Sequence, residues 1–278
     1  YPFEIDNKQV KGVIELIKPE IVIHIAANNS VPMSVQDPMP TYTDNVMQTI
    51  SLLNTCVEAK VPNFIFASSS SVYGTSIHEE GCFKETDPTL PINPYGRSKQ
   101  ICEKIIKDYA DVYGFNFANL RLFNVAGSND GKFGYQKSPL VHVLPIITQK
   151  ALLEEKFLIH GDDYPTADGT CIRDYTHVND VSRAFLSTAY WMLDQKESIT
   201  LNIGNNEPVS LKELVGIVEE ALDVTMDIET SPSRKGDMVQ THADITNAKE
   251  VLGWEPANSI QQIVEDEIKW QKQKVKRR

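Results

Sequence analysis

The sequence lacks most of the features that mark a specialised class of protein. Its 278 residues include only four cysteines, Cys56, Cys82, Cys102 and Cys171. These form no C-x-x-C pair and no zinc-ligand spacing, so neither a disulfide framework nor a metal site is expected. No apolar run reaches the ~18 residues needed to cross a bilayer, and no secretory signal pattern is found. The expectation is a soluble, cytoplasmic protein with no membrane partner. Positive charge is also scarce. Lys and Arg total 27 against 38 Asp and Glu, for a net charge of −11. An acidic surface repels a phosphate backbone, which argues against nucleic acid as a partner. The basic end, Lys272 to Arg278, reads as a solvated terminus. Residue 1 is Tyr rather than Met, and the chain opens almost directly into a helical pattern.

What is present is ordinary globular material, 41% hydrophobic, enough for a sizeable core. Strand and helix signals alternate. The runs 21–27, 63–67, 117–123 and 200–203 are short, apolar and β-branched, as buried parallel strands are. Helical patterns occupy about 7–17, 43–60, 94–113, 180–194, 210–222 and 259–271. Asn93-Pro94 marks one helix start, with proline in the first turn, where a missing N–H costs nothing. Alternation of this kind implies βαβ units, with ligands at the carboxyl ends of the strands. Polar residues do follow the strands: Asn28 and Asn29, Ser68 to Ser71, and Asn124.

Tyr95-Gly96-Arg97-Ser98-Lys99 places Tyr95 and Lys99 at i and i+4, on one helix face. A phenol titrates near ~10, and an ammonium beside it favours the phenolate. The pair is therefore a sensible base for a hydroxyl proton. A half-buried tyrosine next to a solvated lysine is the plainer alternative. Ser68 to Ser71, directly after a strand, adds a hydroxyl for the same oxygen, though serine runs also simply close strands.

The order strand, Ser, Tyr-x-x-x-Lys resembles the short-chain dehydrogenase/reductase superfamily. That resemblance implies a triad of Ser69, Tyr95 and Lys99 and NAD as cofactor. Ala26, Ala27, Asn29, Asn45, Ser69, Tyr95, Lys99 and Phe123 would line it. The stretch 161–178, GDDYPTADGTCIRDYTHV, is more specific and is similar to the corresponding loop of UDP-glucose 4-epimerases. It implies a UDP-sugar held by Ser69, Tyr95, Asn124, His142, Val143, Arg173, Arg234, Asp237 and Thr241. Arg173 and Arg234 would contact the diphosphate, and Asp237 the uridine ribose. Guanidinium forks suit diphosphate oxygens and explain how an acidic protein binds an anion. His142 stands where the family has Asn, and a lone His there is more often packed than a ligand. The resemblance extends to Leu252-Gly253-Trp254 and the last helix.

The resemblance implies an α/β fold, a Rossmann-like parallel sheet flanked by helices with a smaller mixed α/β C-terminal substrate domain. The division expected is 1–123 and 178–204 for NAD binding, and 124–177 and 205–278 for the UDP-sugar. Family members pair through two helices per subunit, here about 43–60 and 94–113, so a homodimer is expected. The Gly-rich turn that holds a dinucleotide pyrophosphate is missing after the first strand. Gly127, Gly131 and Gly134 are spaced suggestively but open no helix, and read as a loop over the substrate. By alignment with the family, the first strand-helix units fall upstream of Tyr1.

Ser70 and Ser71 occupy the places where related 4,6-dehydratases carry Asp-Glu, so elimination has no evident acid. Reversible oxidation at C4 of the sugar is the reaction left, interconverting UDP-galactose and UDP-glucose. Thr241 aligns with a bulky Tyr of some members, and the smaller residue leaves room for UDP-GlcNAc or UDP-GalNAc. An epimerase for UDP-glucuronate or UDP-xylose, or a non-catalytic sugar-nucleotide binder, stays open at this point.

Overall fold

The computed structural model describes residues 8–75, 81–136, 140–233 and 237–275. The elements begin with α1 (Lys8–Ile17), β1 (Val22–His24), α2 (Val31–Gln36) and α3 (Pro38–Tyr42). A π-helical turn (Thr43–Met47) then leads into α4 (Gln48–Glu58), β2 (Asn63–Ser69), a 3-10 turn (Ser70–Val72), β3 (Cys82–Phe83) and α5 (Pro94–Tyr113). Next come β4 (Asn116–Leu122), β5 (Asn124–Ala126), α6 (Val143–Leu152), β6 (Phe157–His160), β7 (Ile172–His177), α7 (Val178–Gln195) and β8 (Ile199–Ile203). The chain closes with β9 (Pro208–Ser210), α8 (Leu211–Leu222), β10 (Ile228–Ser231), β11 (Gln240–Ala243), α9 (Thr246–Leu252) and α10 (Ile260–Val275). Two compact units result. One is drawn from Tyr1–Thr75, Glu85–Leu122 and Phe185–Asn202, the other from Ser76–Lys84, Phe123–Ala184 and Ile203–Arg278.

The first unit is Rossmann-like. Its sheet runs β1-β2-β4-β8, with β1, β2 and β4 parallel. All seven residues of β2 are buried, and accordingly its stretch Phe64 to Ala67 is apolar without alternation. Leu53 and Cys56 of α4, Ile106 of α5 and Ile14 of α1 pack on Phe64 and Phe66. The run 21–27 overshoots the observed strand. Only Val22 to His24 pair with β2, and the chain then leaves the sheet with Ile25 exposed. The helix expected from residue 43 begins at Pro38, capped by the Asp37 carboxylate accepting from the Met39 N–H. It widens into the π turn before continuing as α4. α5 starts as its cap predicts, with the Asn93 side chain accepting from the Gly96 N–H.

The second unit is mixed. Its main sheet has the order β3-β11-β7-β5, and β9 lies antiparallel on β7. A separate parallel pair joins β6 and β10. Leu144, Ile147, Ile159, Leu214, Val218, Ile263 and Val264 form the core between α6, α8 and α10. The fully buried Asp174 ties this sheet together. Its carboxylate accepts from the N–H groups of Asn205, Asn206 and Ala243. Burial still pushes its pKa up to about 6. A Cβ on Gly204 would lie 2.3 Å from Ala243 and 2.6 Å from the Asp174 carboxylate. That close approach is the reason glycine follows β8.

A buried ion pair braces the first unit. Arg121 donates through Nε and Nη2 to both carboxylate oxygens of Glu103, at 3.0 and 2.8 Å. Glu103 also accepts from the Ser68 hydroxyl. Arg121 Nη1 reaches the Tyr73 phenol, which in turn donates to Asn202. Removing one partner strands a charge in the core. Glu103→Gln is therefore expected to destabilise the protein by about 3–5 kcal/mol in urea unfolding. A loss below about 1 kcal/mol, the range of an exposed pair, would contradict this account of the pair.

Candidate active site

The carboxyl end of β2 and the first turns of α5 bring three predicted residues together. Ser69, the last residue of β2, caps the 3-10 turn, its Oγ accepting from the Ser71 N–H at 3.2 Å. That donor leaves the Ser69 proton free to point elsewhere. Burial raises the Tyr95 phenol above its ordinary value, and the neighbouring Ser69 hydroxyl works to lower it. Tyr95 is half-buried in the first turn of α5. One turn on, Lys99 is only 3% exposed. Its ammonium donates to the Ala67 carbonyl at 2.7 Å and sits 4.6 Å over the Phe66 ring.

Burial pushes the Lys99 pKa down to about 8, against the raising influence of Cys102 and Glu103. His24 stays neutral for the same reasons, at about 4, through burial and then the Lys99 charge. The Lys99 ammonium makes one hydrogen bond among the described residues. Two of its three donors remain for an incoming diol or hydroxyl. Ala26, Ala27 and Asn29 lie on the segment leaving β1, the first exposed and the others half-buried. Asn45 is buried in the π turn. Its amide donates to the Asn28 carbonyl and the Ser98 hydroxyl, and its oxygen accepts from the Asn28 N–H. π turns of this kind occur often at functional sites.

The second unit holds the remaining predictions. Arg173, on β7, is half-buried and donates to three carbonyls, those of Ile172, Val239 and Met238. It makes no ion pair among the described residues, so its charge is uncompensated and suited to an anion. Thr241 on β11 is its register partner and is buried. Asn124 opens β5 and spends its amide on the Asp174 carbonyl, leaving its oxygen available. His142 is the N-cap residue of α6, edge-on to the Tyr135 ring at 4.9 Å, and Val143 is the first residue of that helix. Phe123 is buried, and its N–H donates to Ile203. Asp237 is half-buried and acts on Tyr164. Arg234 lies outside the described residues. The loop bearing Gly127, Gly131 and Gly134 is held by α10 through Ser128, Gln273 and Trp270.

The chain matches the family model described as GDP-mannose 4,6 dehydratase over residues 4–267. It is 36% identical to a UDP-glucose 4-epimerase of Rhizobium meliloti, with 95% of this chain aligned to 81% of that protein. A UDP-glucose 4-epimerase of Halalkalibacterium halodurans is 37% identical, with 96% of this chain and 80% of that protein covered. The chain belongs to the UDP-glucose 4-epimerase family. A crystal structure of the epimerase of Stenotrophomonas maltophila, with bound NAD and formylated UDP-arabinopyranose, superposes with a TM-score of 0.94. It is 31% identical over all of this chain and 84% of its own. At Ser70 and Ser71 this chain has buried hydroxyls and no carboxylate.

Glu103 and Asp174 carry no role in the sequence reading, yet both support site residues. The signal for Glu103 was present, since it lies one helical turn beyond Lys99 on the same face. Among the described residues, no group of three or more His, Cys, Asp or Glu is placed to hold a metal. All four thiols are free, and no described helix is long and apolar enough to cross a membrane.

The Lys99 shift has a stability consequence whose sign is definite. The folded pKa, about 8, lies below the ordinary lysine value of 10.5. The folded state thus binds fewer protons between those values, and stability rises with pH across that window. At pH 7 the burial costs about 3 kcal/mol. Lys99→Met should melt higher than wild type at pH 7, with the gap closing by about pH 10. A lower melting temperature at pH 7 would contradict a strained ammonium.

Proposed function

We propose that this chain interconverts UDP-galactose and UDP-glucose by reversible NAD-dependent oxidation at C4 of the sugar. The observation that carries the reading is the Ser69–Tyr95 hydroxyl pair next to a buried, donor-rich Lys99. It stands in a chain more than a third identical to UDP-glucose 4-epimerases. The first unit supplies the chemistry and the cofactor contacts other than Phe123. The second supplies the UDP contacts, at Asn124, His142, Val143, Arg173 and Asp237, with Arg234 as the further diphosphate cation.

The residues present fit NAD. Lys99 has two unspent donors for a nicotinamide ribose diol, and Ala27, Asn29 and the π turn at Asn45 follow or face the carboxyl end of β1. When bound, NAD supplies a reversible hydride acceptor. Tyr95 then holds and returns the proton of the C4 hydroxyl. Ser69 donates its one proton to the same oxygen, and its Oγ can accept from the Ser71 N–H at the same time. Lys99 keeps positive charge beneath the pair below about pH 8.

We place the protein in the cytoplasm as part of galactose metabolism, acting as a homodimer. The exposed Met47, Val112 and Tyr113 lie on the two helical stretches that would pair, about 43–60 and 94–113. The test of function is conversion of UDP-galactose to UDP-glucose with NAD present. Turnover is expected, and Tyr95→Phe should lower kcat by about 100-fold or more while UDP still binds. Near-normal turnover in that variant would remove Tyr95 as the base.

Thr241 sets the second expectation. A threonine leaves room beside the sugar for an N-acetyl group, so UDP-GalNAc is expected to be converted as well. A UDP-Glc/GlcNAc 4-epimerase of Campylobacter jejuni superposes with a TM-score of 0.82, at 32% identity. Thr241→Tyr should suppress the N-acetyl substrate selectively, and an unchanged ratio of the two activities would exclude Thr241 as the determinant.

A further inference from the structure

Two residues beside Tyr95 have no chemistry of their own, yet their surroundings are unusually constrained. A Cβ on Gly96 would lie 2.2 Å from the Ser71 carbonyl oxygen and 3.0 Å from its carbon. Both are backbone atoms and cannot swing aside. The Ser71 N–H, on the preceding peptide unit, is bonded to the Ser69 hydroxyl. One residue, Ser71, therefore spaces Ser69 through its N–H and abuts the Tyr95 helix through its carbonyl. Glycine is a poor helix former, so its presence in the first turn of α5 is bought by this approach.

The first turns of the helix are held against that contact by hydrogen bonds to neighbouring segments and within the turn itself. The Ser98 hydroxyl donates to the Tyr95 carbonyl at 2.7 Å. The buried Asn45 amide donates to Ser98 at 2.9 Å. The Tyr95 N–H is bonded to the Ser34 hydroxyl, and the Gly96 N–H to Asn93. One turn further on, Lys99 is fastened to Ala67.

We propose that Gly96 and Ser98 are positioning residues that set the separation of the Ser69 and Tyr95 hydroxyls from opposite sides of the helix. Gly96 fixes the minimum approach by having no side chain, and Ser98 prevents the turn from opening. The inference rests on the C4-oxidation reading for its consequence, but not for its geometry. Substitution at either position lengthens the Ser69–Tyr95 separation without changing a side chain that contacts the UDP group.

Two readouts test it. An ultraviolet difference titration of each protein against its Tyr95→Phe counterpart isolates this phenol and needs no turnover. Gly96→Ala should move its midpoint upward, since the Ser69 bond that favours phenolate is weakened. In the assay, kcat should fall about 100-fold, because a displacement near 1 Å is that costly. KM should stay within about threefold, as uniform binding is untouched. In a Ser69→Ala background the same change should cost no more than about twofold further, because the two share one mechanism. A folded Gly96→Ala with wild-type midpoint and kcat, or a full additive loss on top of Ser69→Ala, would overturn the proposal. If Gly96→Ala does not accumulate folded, Ser98→Ala removes one oxygen only and carries the test. It should raise the midpoint and lower kcat about tenfold at constant KM, and unchanged values overturn the proposal. Absence of turnover in the wild type would strike the C4-oxidation reading instead, leaving the phenol titration to judge the positioning.

Discussion

The first unit is organised around a buried ammonium. Lys99 lies beneath the carboxyl end of β2, bonded to a backbone carbonyl and resting over an aromatic face. Those contacts do not repay its desolvation, as its lowered pKa shows. The surrounding structure bears the difference. Packing of α4 and α5 on β2 supplies the stabilisation that lets one helix carry Tyr95 and Lys99 into place. The Glu103 carboxylate one turn away offsets part of the charge and is itself held by Arg121. A neutral His24 on β1 avoids adding a second cation. The arrangement is costly for folding and useful for chemistry, the trade expected where a site keeps an unsatisfied charge.

The second unit meets the opposite requirement. An overall net charge of −11 disfavours any anionic ligand at long range. Arg173 answers locally. Three carbonyls orient its guanidinium while leaving its charge unneutralised. The adjacent Asp174 does not pair with it. Its carboxylate is consumed by three backbone N–H groups and serves the sheet instead. Adjacent residues on one strand thus differ, one making no ion pair among the described residues and the other closing the fold.

Much of this was legible in the residues. Asn93-Pro94 announces the start of α5, and the start is found there because cap and proline act locally. Ser69, Tyr95 and Lys99 come together because strand, turn and i,i+4 spacing are local geometry too. What escaped depends on distant partners. The run 21–27 looks like one strand, but a strand lasts only as long as its neighbour pairs with it, and β2 stops pairing at Phe66. Pro38 and Pro40 precede the helix expected from residue 43, yet both fall in a first helical turn, where proline is tolerated. The π turn at Thr43–Met47 leaves no mark in a periodicity of a few residues. The Glu103–Arg121 pair joins a helix to a strand 18 residues later. No composition or period reveals that contact. The same holds for Gly96, whose meaning lies in a carbonyl of another segment.

The central claim is that the Ser69–Tyr95 pair serves a reversible oxidation at C4, in which the C4 hydrogen leaves and returns without meeting solvent. Conversion of UDP-galactose deuterated at C4, followed by mass and NMR analysis of the UDP-glucose formed, tests it most directly. The account predicts that the product keeps its deuterium at C4. Loss of the label to solvent would contradict it, because it would mean that the carbon was inverted by proton exchange.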